Sequence, residues 1–226
     1  MPRVFITCHH AANLEKAARF GEVIKLYDLV DAKPSANRLS LAPGRIFNKL
    51  ARNINSFHPD DMFLLDGPAV YSAVAAAMAA TISQRVRFLI YNHDAADFIP
   101  RTLYFPVSRC RKPKTNQDPK VFASTDSHDV SSASSFGEVV TLVPSQLGIQ
   151  SSDTRKIAKM VMGPLKDSQP QDYLLLAGEK SINAIAAAVL SRRHGCLNLI
   201  MYHLKQKKYL AKCVDISRER IREMAG

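Results

Sequence analysis

The sequence predicts an α/β fold made by tandem duplication of one strand–helix unit, and three observations lead there. A short apolar run, a glycine and an alanine-rich stretch occur in that order twice, as MFLLDGPAVYSAVAAAMA from Met62 and as YLLLAGEKSINAIAAAVL from Tyr173. A shift of 111 positions aligns Asp61–Phe105 with Asp172–Ile216 without a gap, and Asp61, Leu64, Leu65, Gly67, Ala73, Ala75, Ala76, Ala77 and Tyr91 fall on identical residues. Upstream the offset grows by about five, so that FGEVIKL at Phe20 matches FGEVVTL at Phe136, and RVF at Arg3 matches KVF at Lys120. Self-similarity at a fixed period marks repeated structural units.

Each copy opens on a strand, Val4–Thr7 or Val121–Ser124. A polar stretch, weakly helical or loop, leads through Phe-Gly-Glu to a second strand, Val23–Tyr27 or Val139–Val143. An amphipathic helix follows, with Ile46, Phe47, Leu50, Ile54 and Phe57 spaced for one face, and Ile157, Met160, Val161 and Leu165 in the second copy. The third strand, Met62–Leu65 or Tyr173–Leu176, is a continuous apolar run, as a strand covered on both faces requires. The alanine-rich helix comes next; its small side chains let another backbone approach closely, and alanine has the best helix propensity. Strand Val86–Tyr91 or Leu197–Tyr202 then turns into a last strand, Ile99–Phe105 or Tyr209–Ile216.

This alternation predicts Rossmann-like units with mainly parallel sheets and an antiparallel edge pair. Two similar units in one chain are expected to pack about a pseudo-twofold axis. The organisation read from the sequence is a first repeat over 1–105, a basic proline-containing linker over 106–119, and a second repeat with a C-terminal helix over 120–226.

Composition narrows the function classes. No run approaches the ~20 apolar residues of a membrane span, and the N-terminus shows no secretory pattern, so a cytoplasmic protein without membrane partners is expected. Cys8, Cys110, Cys196 and Cys213 form no closely spaced pair, which argues against a metal site and for free thiols. The formal net charge is +11, an excess that attracts polyanions, nucleic acid first among them. The excess is uneven: residues 1–105 carry only +3, whereas 106–120 carry +4 and 189–226 carry +6.

At Gly178 a strand runs into a helix, so free backbone N–H groups gather at the strand's carboxyl end and can hold an anion. Gly178 permits the turn, Lys180 adds charge, Ser181 and Asn183 can donate hydrogen bonds, and Glu179 lies between them; the first copy keeps only Gly67. The other reading is that both glycines merely end strands. The stretch LLLAGEKSINAIAAAVLSRRHGCLNLIMYH resembles the CARF-type Rossmann-like domains, which sense cyclic oligoadenylates, over roughly 173–202 and more faintly over 62–91. By that resemblance Gly178, Lys180 and Ser181 would face a cyclic nucleotide at the interface between two units.

His9, His10, Asp66 and His93 could gather at one sheet edge, where an active site would lie. No nucleophile elbow, zinc-protease motif or paired metal-ligand signature accompanies them. The expectation is therefore a non-enzymatic protein with no catalytic residue, metal or cofactor. The basic residues Arg109, Arg111, Lys112 and Lys114 of the linker, Arg192 and Arg193, and the turn lysines Lys205, Lys207 and Lys208 predict a one-sided strip for nucleic-acid phosphates. Tyr202 and Tyr209 are stacking candidates whose other reading is core packing. Three functions stay open at this point: a nucleic-acid-binding protein, a cyclic-nucleotide binder or sequestering protein, and an assembly protein forming homo-oligomers.

Overall fold

The structure is a computed structural model, and it describes residues 2–6, 11–26, 42–54, 57–65, 67–92, 95–105, 117–126, 130–147 and 153–225. The first repeat contains β1 (Arg3–Ile6), α1 (Ala11–Ala18), β2 (Glu22–Lys25), α2 (Pro43–Ile54), β3 (Met62–Leu64), α3 (Ala69–Ile82), β4 (Arg85–Asn92) and β5 (Asp97–Tyr104). The second contains β6 (Lys120–Ala123), a 3-10 segment (Ser131–Phe136), β7 (Glu138–Thr141), α4 (Thr154–Leu165), β8 (Tyr173–Leu175), α5 (Lys180–His194), β9 (Cys196–His203) and β10 (Lys208–Asp215), followed by α6 (Arg218–Ala225).

Each repeat forms a five-stranded sheet of the same topology, β2-β1-β3-β4-β5 and β7-β6-β8-β9-β10. All neighbours pair in parallel except β4 with β5 and β9 with β10. The duplicated α/β fold read from the sequence is therefore the fold observed. The edge hairpins run beyond their apolar stretches, because the antiparallel register continues from Arg85↔Tyr104 to Asn92↔Asp97 and from Lys208↔His203 to Asp215↔Cys196. The polar stretch after the first strand becomes a helix in the first repeat and only a 3-10 segment in the second.

The repeated Phe-Gly-Glu has a steric cause. Gly21 and Gly137 take φ of +156° and +148°, and a Cβ there would lie 2.1 Å and 2.0 Å from the carbonyl oxygens of Pro2 and Pro119. The next residue's N–H donates to the same carbonyl, at 3.1 Å from Glu22 and 3.2 Å from Glu138. Only glycine lets the second strand lie this close to the first.

Both repeats share one core. The alanine-rich helices α3 and α5 are buried almost from end to end, as a helix covered all round must be, and they pack on each other. The Ser191 hydroxyl reaches the other repeat and donates to the Ala77 carbonyl at 3.1 Å, an approach that needs the small residues of both helices. α2 reaches β10 and α4 reaches β5, which are reciprocal contacts about a pseudo-twofold axis. Leu197, Leu199 and Met201 face this shared layer, whereas Ile200 belongs to a separate outer core with Val121, Ala123, Ala133 and Leu175.

Candidate functional site

The orientation of the two sheets follows from the ends of the central helices. Arg192 Nη1 and Arg218 Nε both donate to the Thr81 carbonyl, at 3.1 Å and 2.8 Å. Ile82, the last residue of α3, lines a cavity with Arg218, Ile221 and Arg222 of α6. The closing ends of α3 and α5 are thus neighbours, and the amino edges of both sheets lie at one end of the molecule. Both carboxyl edges, with the Gly67 and Gly178 turns, lie at the other.

In a sheet of this order the crevice opens where the chain leaves the first strand in both directions, between β6 and β8. Here Gly178 adopts φ of +77°, a left-handed conformation that glycine takes without strain. Ser124 and Asn183 both donate to the Ala177 carbonyl, the latter at 3.1 Å. Glu179, at the start of α5, makes no side-chain cap; its carboxylate instead accepts the Ser181 hydroxyl at 3.2 Å. Asn183 is fully buried, and its Oδ1 has no hydrogen-bond partner among the described residues. The orientation of that amide is fixed, because only its nitrogen can donate to Ala177. An orphaned buried acceptor is costly unless something donates to it. Asp126 stands at the carboxyl end of β6, held below the ordinary carboxylate range by the Ser145 hydroxyl and then by the Ser145 N–H at 2.8 Å. Its negative charge disfavours an anion on the β6 side of the crevice.

The β9–β10 turn lies on the same edge, one strand further along, since β9 is the neighbour of β8. Lys205, Lys207 and Lys208 are exposed there, and none of them forms an ion pair among the described residues. Lys207 holds a left-handed φ of 49°, and the Gln206 N–H donates to His203 Nδ1 at 3.0 Å, which shapes the turn. Tyr202 is 47% and Leu204 64% exposed. Tyr202 meets Tyr209 edge to face, with ring centroids 5.3 Å apart. The core-packing reading of Tyr202 is therefore corrected, for the 3-10 segment leaves its ring uncovered, while Tyr209 does pack on the outer core.

The expected residues do not all share a surface. Gly178, Glu179, Lys180, Ser181, Asn183, Lys205, Lys207 and Lys208 gather on the carboxyl edge of the second repeat. Arg192 and Arg193 close α5 at the amino edge, about 20 Å away along a helix of this length, so the one-sided strip is divided. Their heads are also engaged, Arg192 with Thr81 and Arg193 with the Lys166 carbonyl. Arg192 Nε is buried without a partner among the described residues, and burial followed by the nearby Arg218 lowers its pKa. The linker residues Arg109, Arg111, Lys112 and Lys114 lie outside the described residues, as do His9, His10, Asp66 and His93. Among the described residues no group of three or more metal-ligating side chains comes together. No helix among them is long and apolar enough to cross a membrane.

No curated protein matches the chain. Among solved structures, the fold is similar to a SAVED/CARF-domain containing receptor, Cap4, of Acinetobacter baumannii with the cyclic trinucleotide 3'3'3'-cAAA, at TM-score 0.49 and 9% identity over 94% of this chain and 48% of that one. The same receptor with 2'3'3'-cAAA gives TM-score 0.46 and 8% identity over 96% and 50% of the two chains. The chain spans about half the length of these receptors. A family model matches residues 3–104 and again 111–216, once for each repeat, and the chain belongs to that family, the Phage Pam3 gp32-like proteins.

Proposed function

We propose that the protein is a non-enzymatic binder of nucleic acid, which it engages through the carboxyl edge of its second repeat. The observation that carries this reading is the lysine turn. Lys205, Lys207 and Lys208 are exposed, with no ion pair among the described residues, whereas the sequence of the first repeat has Asp94, Ala96 and Asp97 at the equivalent positions, with Asp97 neutralised by Arg19. Unpaired cations attract phosphates at long range and release counterions on binding. Binding measured against generic DNA and RNA over a range of salt tests this. Affinity should fall steeply with salt, and an affinity unchanged between low and moderate salt would overturn the reading.

A specific observation favours a second reading, a cyclic oligonucleotide held between the repeats. The uncapped start of α5, Lys180 at its first position and the orphaned Asn183 oxygen supply donors for a phosphate and an acceptor for a base amino group or ribose hydroxyl. Both carboxyl edges face the same end, so a twofold-like ligand could touch both repeats. Calorimetry with cyclic oligoadenylates, repeated on Lys180→Ala, tests it. Heat that disappears in the variant supports the reading, and no heat with the unaltered protein removes it.

A further inference from the structure

Resting on the nucleic-acid reading, we infer that the bound strand is single, with a base stacked on Tyr202 and the flanking phosphates on Lys205, Lys207 and Lys208. The inference starts from a pair of positions that the duplication makes equivalent. In the first repeat Tyr91 and Phe98 meet edge to face at 5.5 Å, as Tyr202 and Tyr209 do in the second. There α1 closes the pair off. Lys16 Nζ stands 5.5 Å from the centroid of the Tyr91 ring and donates to the Ala96 carbonyl at 2.8 Å, and Phe98 is buried.

In the second repeat the segment replacing α1 reads SSASSF and has no cation to place over the ring. Tyr202 is left open on the outer face, held by Tyr209 at its side, with exposed Leu204 two residues on. A ring fixed by a neighbour and bare to solvent has little freedom left to lose on stacking. Three lysines within four residues then lie within reach of the same strand's backbone. A duplex hides its base faces, so an exposed aromatic gains only from unpaired bases.

Fluorescence anisotropy with oligo-dT, oligo-rU and a duplex of equal length tests this on the full chain. Single strands should bind more tightly than the duplex. Tyr202→Ala should weaken single-strand binding roughly 5- to 100-fold while leaving duplex binding unchanged, and Tyr202→Phe should keep it. Comparison of dT with rU then shows which strand is preferred. Equal affinity for single strands and duplex, or a Tyr202→Ala variant equal to the unaltered protein, would overturn the inference and leave the lysine surface standing. Absence of binding to all three probes would overturn the surface as well.

Discussion

The hairpins β4–β5 and β9–β10 occupy the same place in the two repeats and treat it in opposite ways. The first is closed: Lys16 of α1 and Arg19 just after it hold Ala96 and Asp97, and Lys16 covers Tyr91. The second carries exposed lysines and an uncovered tyrosine. Elsewhere the repeats match closely, with one strand order, one register and reciprocal packing across a shared core. Folding fixes what is common to both copies, so the place where they diverge is free to serve binding.

The largest expected effect tests the common frame. Gly21→Ala and Gly137→Ala each drive a Cβ against a backbone carbonyl at positive φ. Each should destabilise the protein by about 3 kcal/mol or more in chemical denaturation. Similar losses are expected from both; a loss at one and tolerance at the other would break the equivalence of the repeats. Ala77→Leu comes close behind, because the site is fully buried against Ser191 of the other repeat. Overpacking there should cost about 2–3 kcal/mol.

Smaller effects separate the copies. Asp61 and Asp172 are equivalent and both accept two backbone N–H groups, from Arg3 and His58 or from Lys120 and Gln169. Among the described residues, Asp61 alone of the two adds an ion pair, 2.5 Å from Arg3. Burial opposes its ionisation, but the Arg3 guanidinium and the two N–H groups outweigh that and lower its pKa from 3.8. Its stabilisation is therefore complete above that ordinary value and lost as pH falls below it. Asp61→Asn should cost about 2 kcal/mol near neutrality and flatten the acid limb below about pH 4, and Asp172→Asn should cost about half as much near neutrality. Equal costs would show that the ion pair contributes little.

His194 adds a pH dependence that the first repeat lacks, since Ser83 stands at its equivalent position. Burial, then Arg193, lowers its pKa from 6.5 to about 4, and its Nε2 pairs with the Ser168 hydroxyl at 2.9 Å. The folded state disfavours the proton that the unfolded chain takes up. Stability should thus be complete above pH 6.5 and decline as pH falls towards about 4. Thermal melts of His194→Gln should lose that slope, and a variant with the slope intact would place its origin elsewhere.

The frame is legible in the sequence because it depends on periodicity and on residues present twice. Ala73–Ala77 and Ala184–Ala188 announce two closely packed helices, and Phe-Gly-Glu announces the close approach at glycine. The site is legible only in part. Lys205, Lys207 and Lys208 stand out as charges in a turn, but the chain does not reveal which end of a helix meets which edge of a sheet. Charge alone therefore groups Arg192 and Arg193 with lysines on the opposite edge. Tyr202 is undecidable from sequence for a related reason: its exposure depends on a covering segment some seventy positions earlier being 3-10 rather than helical, and SSASSF carries no apolar periodicity that settles this. The cation over Tyr91 escapes a reading by motif, because the stretch that carries Lys16 reads in the sequence as weakly helical or loop.

The smallest effect on stability is the sharpest on function. Replacing Lys205, Lys207 and Lys208 together by alanine should leave the melting temperature nearly unchanged, because exposed side chains outside any ion pair contribute little to folding. The same variant should lower the salt slope of single-strand binding by about 2, at roughly 0.7 for each phosphate no longer neutralised. The matched control is Lys16→Ala with Arg19→Ala, which opens the first hairpin without giving it lysines. That control should leave the salt slope unchanged, because Asp97, released from Arg19, repels a strand rather than attracting one. A control that alters binding as much as the lysine variant would mean that both hairpins touch the strand, and the functional difference between the repeats would disappear.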